Sequence, residues 1–286
     1  MRFISFVRDG ATGLAIRSGD GRYLGLTRTD PGYPGDLDTL VSGGPSALVQ
    51  ASERLQQTGQ PLDLTECALL PPVTRPSKII CVGLNYVEHS QEAGYEVPSY
   101  PTLFARFRSS LTAHGAAIRL PIESNQLDYE GELAVIIGRG GRRIARSDAL
   151  GHIAGYTAFN DATLRDYQFK TPQWTVGKNF DETGALGPEL VTVDELPPGA
   201  AGLRLQTRLN GAVVQEANTN DMIFDIATLI ATISEVMTLE PGDVIATGTP
   251  SGIGMARNPQ LWMRAGDVCE VEIEGIGVLR NAVVQS

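Results

Sequence analysis

The stretch Asp128-Tyr129-Glu130-Gly131-Glu132-Leu133-Ala134-Val135-Ile136-Ile137-Gly138 constrains this chain more than any other. Its apolar, β-branched run between glycines reads as a buried strand. Side chains on a strand alternate between faces, so Glu130 and Glu132 project to the same side at its mouth. Two carboxylates so placed repel each other unless something positive lies between them. A divalent cation with hard oxygen ligands answers that need. The competing reading is a solvated strand end with both acids in water, the ordinary place for glutamate.

A chain of 286 residues can bury one large core with a smaller unit attached. A formal net charge of −10 leaves no basic surplus for phosphate contacts, which excludes a general nucleic-acid or anionic-membrane binder. Arginines do cluster at Arg139, Arg142, Arg143 and Arg146, a pattern that reads as a turn and a solvated edge. Cys67, Cys81 and Cys269 show neither close pairing nor metal-ligand spacing, and an odd count suits a reducing cytosol. Arg8 and Asp9 cut the first apolar run short, so no signal peptide is expected. No window approaches the roughly 18 apolar residues of a membrane helix. The expected location is the cytoplasm.

Residues 1 to 68 alternate short apolar runs with turns, followed by a helical segment over 46–57. Leu69-Leu70-Pro71-Pro72-Val73-Thr74-Arg75-Pro76 is a stiff, helix-incompatible connector. It divides a small N-terminal domain, residues 1–70, from a larger one, residues 71–286. The larger part opens with a strand-like run over 78–83 and a helical patch over 86–93. Further strands are expected at Leu133–Ile137, Ile153–Phe159, Leu203–Leu209, Asp243–Thr247, Val268–Ile273 and Gly277–Asn281, with a hairpin turn at Asn210-Gly211. One amphipathic helix covers 225–237, its apolar residues recurring at three and four. Many strands with few helices point to an α+β or rolled β architecture.

Several side chains carry chemistry. His89 and Glu92 are three apart in a helical patch, so they share a face, and a carboxylate that orients an imidazole makes a general base. The plainer reading is an exposed helix pair. Asp161 ends an apolar run, where strand ends feed sites; it would also serve as a helix N-cap. Arg165 and Gln168 follow it and would line one side of a helical turn. Of 23 basic residues only Lys78, Lys170 and Lys178 are lysine, so Lys178 within Gly177-Lys178-Asn179 marks a place where a compact ammonium is needed, unless its retention is chance. Gly248-Thr249-Pro250-Ser251-Gly252 lacks the ending of a phosphate loop. Its backbone amides and Thr249 suit a substrate carboxylate instead. His114 and His152 receive no role.

Together these motifs resemble the fumarylacetoacetate hydrolase family. The likeness covers residues 78 to 283 and runs in family order. It comprises Gly83-Leu84-Asn85-Tyr86 with His89 and Glu92, Asp128-Tyr129-Glu130-Gly131-Glu132, and Gly155-Tyr156 to Asp161. Arg165-Asp166, Gln168, Gly177-Lys178, Phe180-Asp181, Thr247-Gly248-Thr249-Pro250-Ser251-Gly252 and Gly266-Asp267 complete it. The resemblance implies metal ligands at Glu130, Glu132 and Asp161, with Mg²⁺ the usual ion and Mn²⁺ or Ca²⁺ as substitutes. It implies a His89–Glu92 dyad on a lid-like segment, substrate contacts from Lys178, Arg165, Gln168 and Thr249, and a homodimer. It also implies a rolled mixed β-sheet core with a small N-terminal α/β domain. One departure stands out: many members carry Lys after Phe-Ala, whereas this chain reads Phe104-Ala105-Arg106. Arg106 can bind a substrate carboxylate bidentately.

A 2,4-dioxo acid offers a carboxylate beside a 2-oxo oxygen, a natural chelate for a hard dication. The expected reaction is hydrolysis of the C–C bond of an acylpyruvate or fumarylpyruvate-like acid. Water would be activated by His89 and Glu92, and Lys178 would offset the developing charge. The His–Glu pair favours this outcome. The same enolate chemistry serves an isomerase or decarboxylase of a related 2-oxo diacid, and that is the alternative. A catalytically silent binding protein fits poorly with three acids and a dyad together.

Overall fold

The strand headed by the two glutamates is Gly131–Ile137, buried throughout. In the computed structural model, which describes residues 1–286, it lies inside a twelve-stranded mixed sheet. Leu133, Val135 and Ile137 enter one hydrophobic core, while Ala134 and Ile136 enter another on the opposite face. That alternation is what a strand imposes on an all-apolar run. Its antiparallel neighbours are Ile153–Asp161 and Val244–Ala246. Val244–Ala246 runs parallel to Ile79–Gly83, which pairs in turn with Thr102–Arg106. One end of the sheet thus gathers the start of the glutamate strand and the ends of three others.

Beyond Ile153–Asp161 the sheet continues through Gly184–Thr192, Arg2–Arg8, Ala11–Arg17, Tyr23–Thr27 and Gln60–Leu62. The first strands of the chain therefore prolong the sheet that carries the acids. Helices Leu37–Ser42 and Pro45–Thr58 cover this part, placing Leu37, Val41, Leu48 and Leu55 in the second core. The first core fills the space toward a five-stranded sheet ordered Ala212–Asn218, Arg204–Leu209, Val268–Ile273, Gly277–Gln285 and Ile118–Leu120. Helix Ile226–Val236 closes it. Its N-cap Asp225 accepts from the Thr228 amide, and Ile226, Leu229, Ile230 and Ile233 are buried at about 1.5–3 kcal/mol per side chain.

The architecture is α+β with mixed sheets, as expected. Asn210 and Gly211 join Arg204–Leu209 to Ala212–Asn218 with φ of 51° and 82°, the left-handed pair that a tight hairpin needs. One element differs. Leu69 and Leu70, read as connector, belong to a short strand, Ala68–Leu70, that pairs with Ser5–Val7. The Arg2–Arg8 strand meets Gly184–Thr192 only through Arg2 and Phe3, which leaves its later backbone groups free to take this partner. No helix is long and apolar enough to cross a membrane.

Candidate active site

The Asp161 amide donates to the Glu130 carbonyl at 2.9 Å, setting the end of one strand beside the mouth of the next. One carboxylate oxygen each from Glu130, Glu132 and Asp161 lies within 4.8 Å of the others. Glu130 is 5% exposed, Glu132 2% and Asp161 fully buried, so the glutamates do not form a solvated strand end. Asp161 closes a strand and caps no helix. Lys178 Nζ donates to Glu130 Oε2 at 2.7 Å and to Asp161 Oδ2 at 2.6 Å. It arrives from the short helix Thr175–Lys178, and Gly177 precedes it because a Cβ there would strike Gln168.

Arg106 is placed behind Asp161 and takes no part in the cleft wall, where the sequence reading set it against substrate. Its Nε pairs with Asp161 Oδ1, its Nη2 donates to the Ala162 carbonyl, and its Nη1 reaches Ser110 Oγ at 3.3 Å. All three nitrogens are committed inward, and a Cβ on neighbouring Gly184 would collide with the guanidinium.

Arg165 joins the other side of the cluster. Its Nε donates to Asp128 Oδ2 at 2.9 Å and its Nη1 to Gln168 Oε1 at 2.9 Å. Nη2 lies 2.6 Å from Glu130 Oε1, an ion pair between two buried groups. His89, 6% exposed, is no surface helix residue. Its Nδ1 lies 3.0 Å from Glu92 Oε1, and the Glu92 oxygens also accept from the Gly252 amide at 2.9 and 3.1 Å. Ser251 Oγ donates to Glu88 Oε2 at 3.1 Å, so both carboxylates of the short helix Val87–Glu92 dock on the 248–254 loop. Thr249 Oγ1 donates to the Gly131 carbonyl at 3.1 Å and accepts from Gln215 Nε2 at 2.8 Å. His89, Glu130, Glu132, Arg165, Gln168, Lys178 and Thr249 thus line a single cleft.

Burial alone would raise the Glu130 carboxyl, but Lys178 and Arg165 outweigh it and hold the group at about 2. Burial, then Asp161 and Glu130, push Glu132 well above the usual carboxylate range. Burial would likewise discharge Lys178, yet Asp161 and Glu130 raise it and keep it an ammonium. Glu132 is therefore the acid without a cation of its own. Its carboxylate receives a single hydrogen bond, from the Gly248 amide at 3.0 Å. Three hard oxygen donors, one of them lacking compensation, fit a divalent ion such as Mg²⁺ or Mn²⁺. The metal would also turn the balance here, four carboxylates including Asp128 against Arg106, Arg165 and Lys178, in favour of an anionic substrate.

Two residues of the site escaped the sequence reading. Asp128, fully buried, accepts from the amides of Tyr129, Gly254 and Met255 at 2.9, 2.7 and 3.0 Å as well as from Arg165. Its signal was present, since it shares strand parity with Glu130 and Glu132. Gln215 fixes Thr249 and accepts from the Gly131 amide at 3.0 Å. It sits in an edge strand that reads as partly exposed, and nothing local marks it.

Comparison with known proteins adds context. A family model described as "Fumarylacetoacetate (FAA) hydrolase C-terminal" matches residues 78–284. The chain is 42% identical over 275 residues to a mitochondrial oxaloacetate tautomerase of Xenopus laevis, covering 95% of this chain and 85% of the relative. Among solved structures, fumarylacetoacetate hydrolase from Exiguobacterium antarcticum superposes with a TM-score of 0.87 at 35% identity, covering all of both chains. A maleylpyruvate hydrolase from Sphingobium sp. SYK-6, solved with manganese(II) and pyruvate, gives 0.81 at 30% identity, again over all of both chains. The names of these relatives are those of enzymes, and they divide between hydrolase and tautomerase. The tautomerase likeness favours the isomerase alternative over the hydrolase expectation.

Proposed function

The chain belongs to the fumarylacetoacetate hydrolase family, and from that membership we propose that it is a divalent-metal-dependent keto–enol tautomerase of a short 2-oxo diacid of the oxaloacetate type. The observation that carries this reading is the 42% identity to an oxaloacetate tautomerase across 95% of the chain. The proton inventory of the cleft supports it. Lys178 is held charged by Asp161 and Glu130, so it serves as a fixed positive charge rather than a base. His89, in the cleft wall and bonded to Glu92, remains as the group placed to take and return a proton. Glu92 at Nδ1 fixes the imidazole tautomer and leaves Nε2 for exchange.

Glu130, Glu132 and Asp161 would hold the ion, with Mg²⁺ proposed. When bound, it would supply positive charge that stabilises an enolate. Lys178 and Arg165 would hold the substrate's negative charge from two sides. Gln168 and Thr249 would fix its orientation. His89 would take the enol hydroxyl proton and deliver a proton to C3, so that one O–H bond breaks as one C–H bond forms. No water enters the balance, which suits a cleft walled by Phe104, Trp174, Ile253 and Met255. The proposal also includes a homodimer as the working form, a cytoplasmic location and a division into residues 1–70 and 71–286. Family resemblance supports the first, the odd cysteine count the second and the proline-rich connector the third.

The test is enol absorbance. With Mg²⁺ present, the protein should speed decay of enol-oxaloacetate without releasing pyruvate. His89→Ala should lose about 10²–10⁴-fold of that acceleration while keeping the metal-dependent rise in melting temperature. Cleavage of an acylpyruvate with no effect on the enol would return the chain to the hydrolases, and pyruvate release would make it a decarboxylase.

A further inference from the structure

A row of side-chain contacts leads outward from the acids. Lys178 Nζ, bonded to Glu130 and Asp161, lies 4.9 Å from the centroid of the Phe104 ring. Phe104 meets Trp174 edge-on at 5.5 Å between centroids, and Trp174 meets Tyr95 edge-on at 6.5 Å. The indole also lies over the end of the Ile79–Gly83 strand, so close that a Cβ on Gly83 would come within 2.9 Å of Trp174 Cη2. The polar groups of the cleft, Glu130, Glu132, Arg165, Gln168 and Lys178, are buried, whereas two of its aromatic residues, Tyr95 and Phe169, are exposed.

From this arrangement we propose that Trp174 is a specificity-determining residue that limits the length of the acid the cleft accepts. Anchored at the buried polar groups, a short diacid stops before the indole. A longer tail would have to occupy the space that Trp174 fills against Gly83 and Phe104. The proposal rests on the tautomerase reading for its substrate class.

The experiment reads binding instead of turnover. Mg²⁺-loaded protein is titrated calorimetrically with two acids. Oxalate presents the paired oxygens of a 2-oxo acid with no tail, and benzoylpyruvate presents them with an aromatic one. The native chain should prefer oxalate. Trp174→Ala should shift the ratio of the two affinities toward benzoylpyruvate by about tenfold or more, the discrimination that pocket shape achieves, with oxalate affinity little changed. Trp174→Phe should fall between. Because both ligands are titrated into one preparation, partial misfolding of a variant cancels from the ratio. Equal affinities in the native chain, or a Trp174→Ala ratio matching it, would overturn the proposal. A shifted ratio in a protein that leaves enol-oxaloacetate untouched would sink only the tautomerase reading.

Discussion

Carboxylates meet arginine and lysine in two regions of this molecule, and the outcomes differ. On the outer sheet, strand register sets Arg208 opposite Glu270, and Glu270 opposite Arg280. Arg208 Nε lies 3.1 Å from Glu270, Arg280 Nε 3.3 Å from Glu270 and Arg204 Nη2 3.6 Å from Glu272. These side chains remain 19–58% exposed. At the sheet end, Arg106, Arg165 and Lys178 meet Asp128, Glu130 and Asp161 with at most 6% side-chain exposure. Water screens the first set, and such pairs are individually worth little. In the second set burial removes that screening, so each charge depends on the others. Burial, not pairing, separates a surface decoration from a site that holds charge in a chosen place.

Removing Lys178 should break the buried set hardest. Lys178→Met leaves Glu130 and Asp161 without their ammonium, and unfolding free energy near neutral pH should fall by about 3–5 kcal/mol. Urea unfolding measures this, provided the slope of the transition is unchanged. The loss should depend on pH in a known direction. Glu130 titrates at about 2 in the fold against an ordinary 4.5. A depressed carboxyl contributes stability that is present above 4.5 and lost as pH falls through about 2. The penalty of Lys178→Met should therefore shrink as pH drops from 4.5 toward 2. A penalty that stays flat would mean that Lys178 does not hold Glu130 ionised.

Glu132 tests the same region from the other side. It is the buried acid without its own cation, so Glu132→Ala should spare stability more than Lys178→Met does. It should instead weaken divalent-ion affinity beyond the roughly 10–100-fold that outer-shell substitutions cost. Calorimetric titration of Mn²⁺ reads this directly. Full affinity in the variant would remove Glu132 from the ligand set.

Local pattern carried some of this and not the rest. Period-two parity put Glu130 and Glu132 on one face, and the same parity reaches Asp128, which then proved to hold Arg165 and the 254–255 amides. Three-and-four spacing marked the helix Ile226–Val236, and Asn210-Gly211 marked its hairpin. Long-range partners left no trace. Nothing near Gln215 says that it will hold Thr249, 34 residues away, and nothing near Arg2–Arg8 says that it will pair with Gly184–Thr192. The Phe-Ala-Arg motif drew attention to Arg106 but could not give its direction. That depends on Gly184, 78 positions later, leaving room for a guanidinium behind Asp161.

The smallest effect is expected on the outer sheet, and it decides whether the contrast holds. A double-mutant cycle with Arg208→Ala and Glu272→Ala removes a pair whose side chains are 19% and 30% exposed. The coupling should be about 0.2–1 kcal/mol, and it should shrink further in 1 M salt, where the screening length is about 3 Å. Both single variants should keep native metal affinity, since neither residue lies in the cleft. A coupling of several kcal/mol, insensitive to salt, would show that the outer ladder behaves like the buried cluster. Burial would then no longer explain why only one of the two regions gathers the groups that a reaction needs.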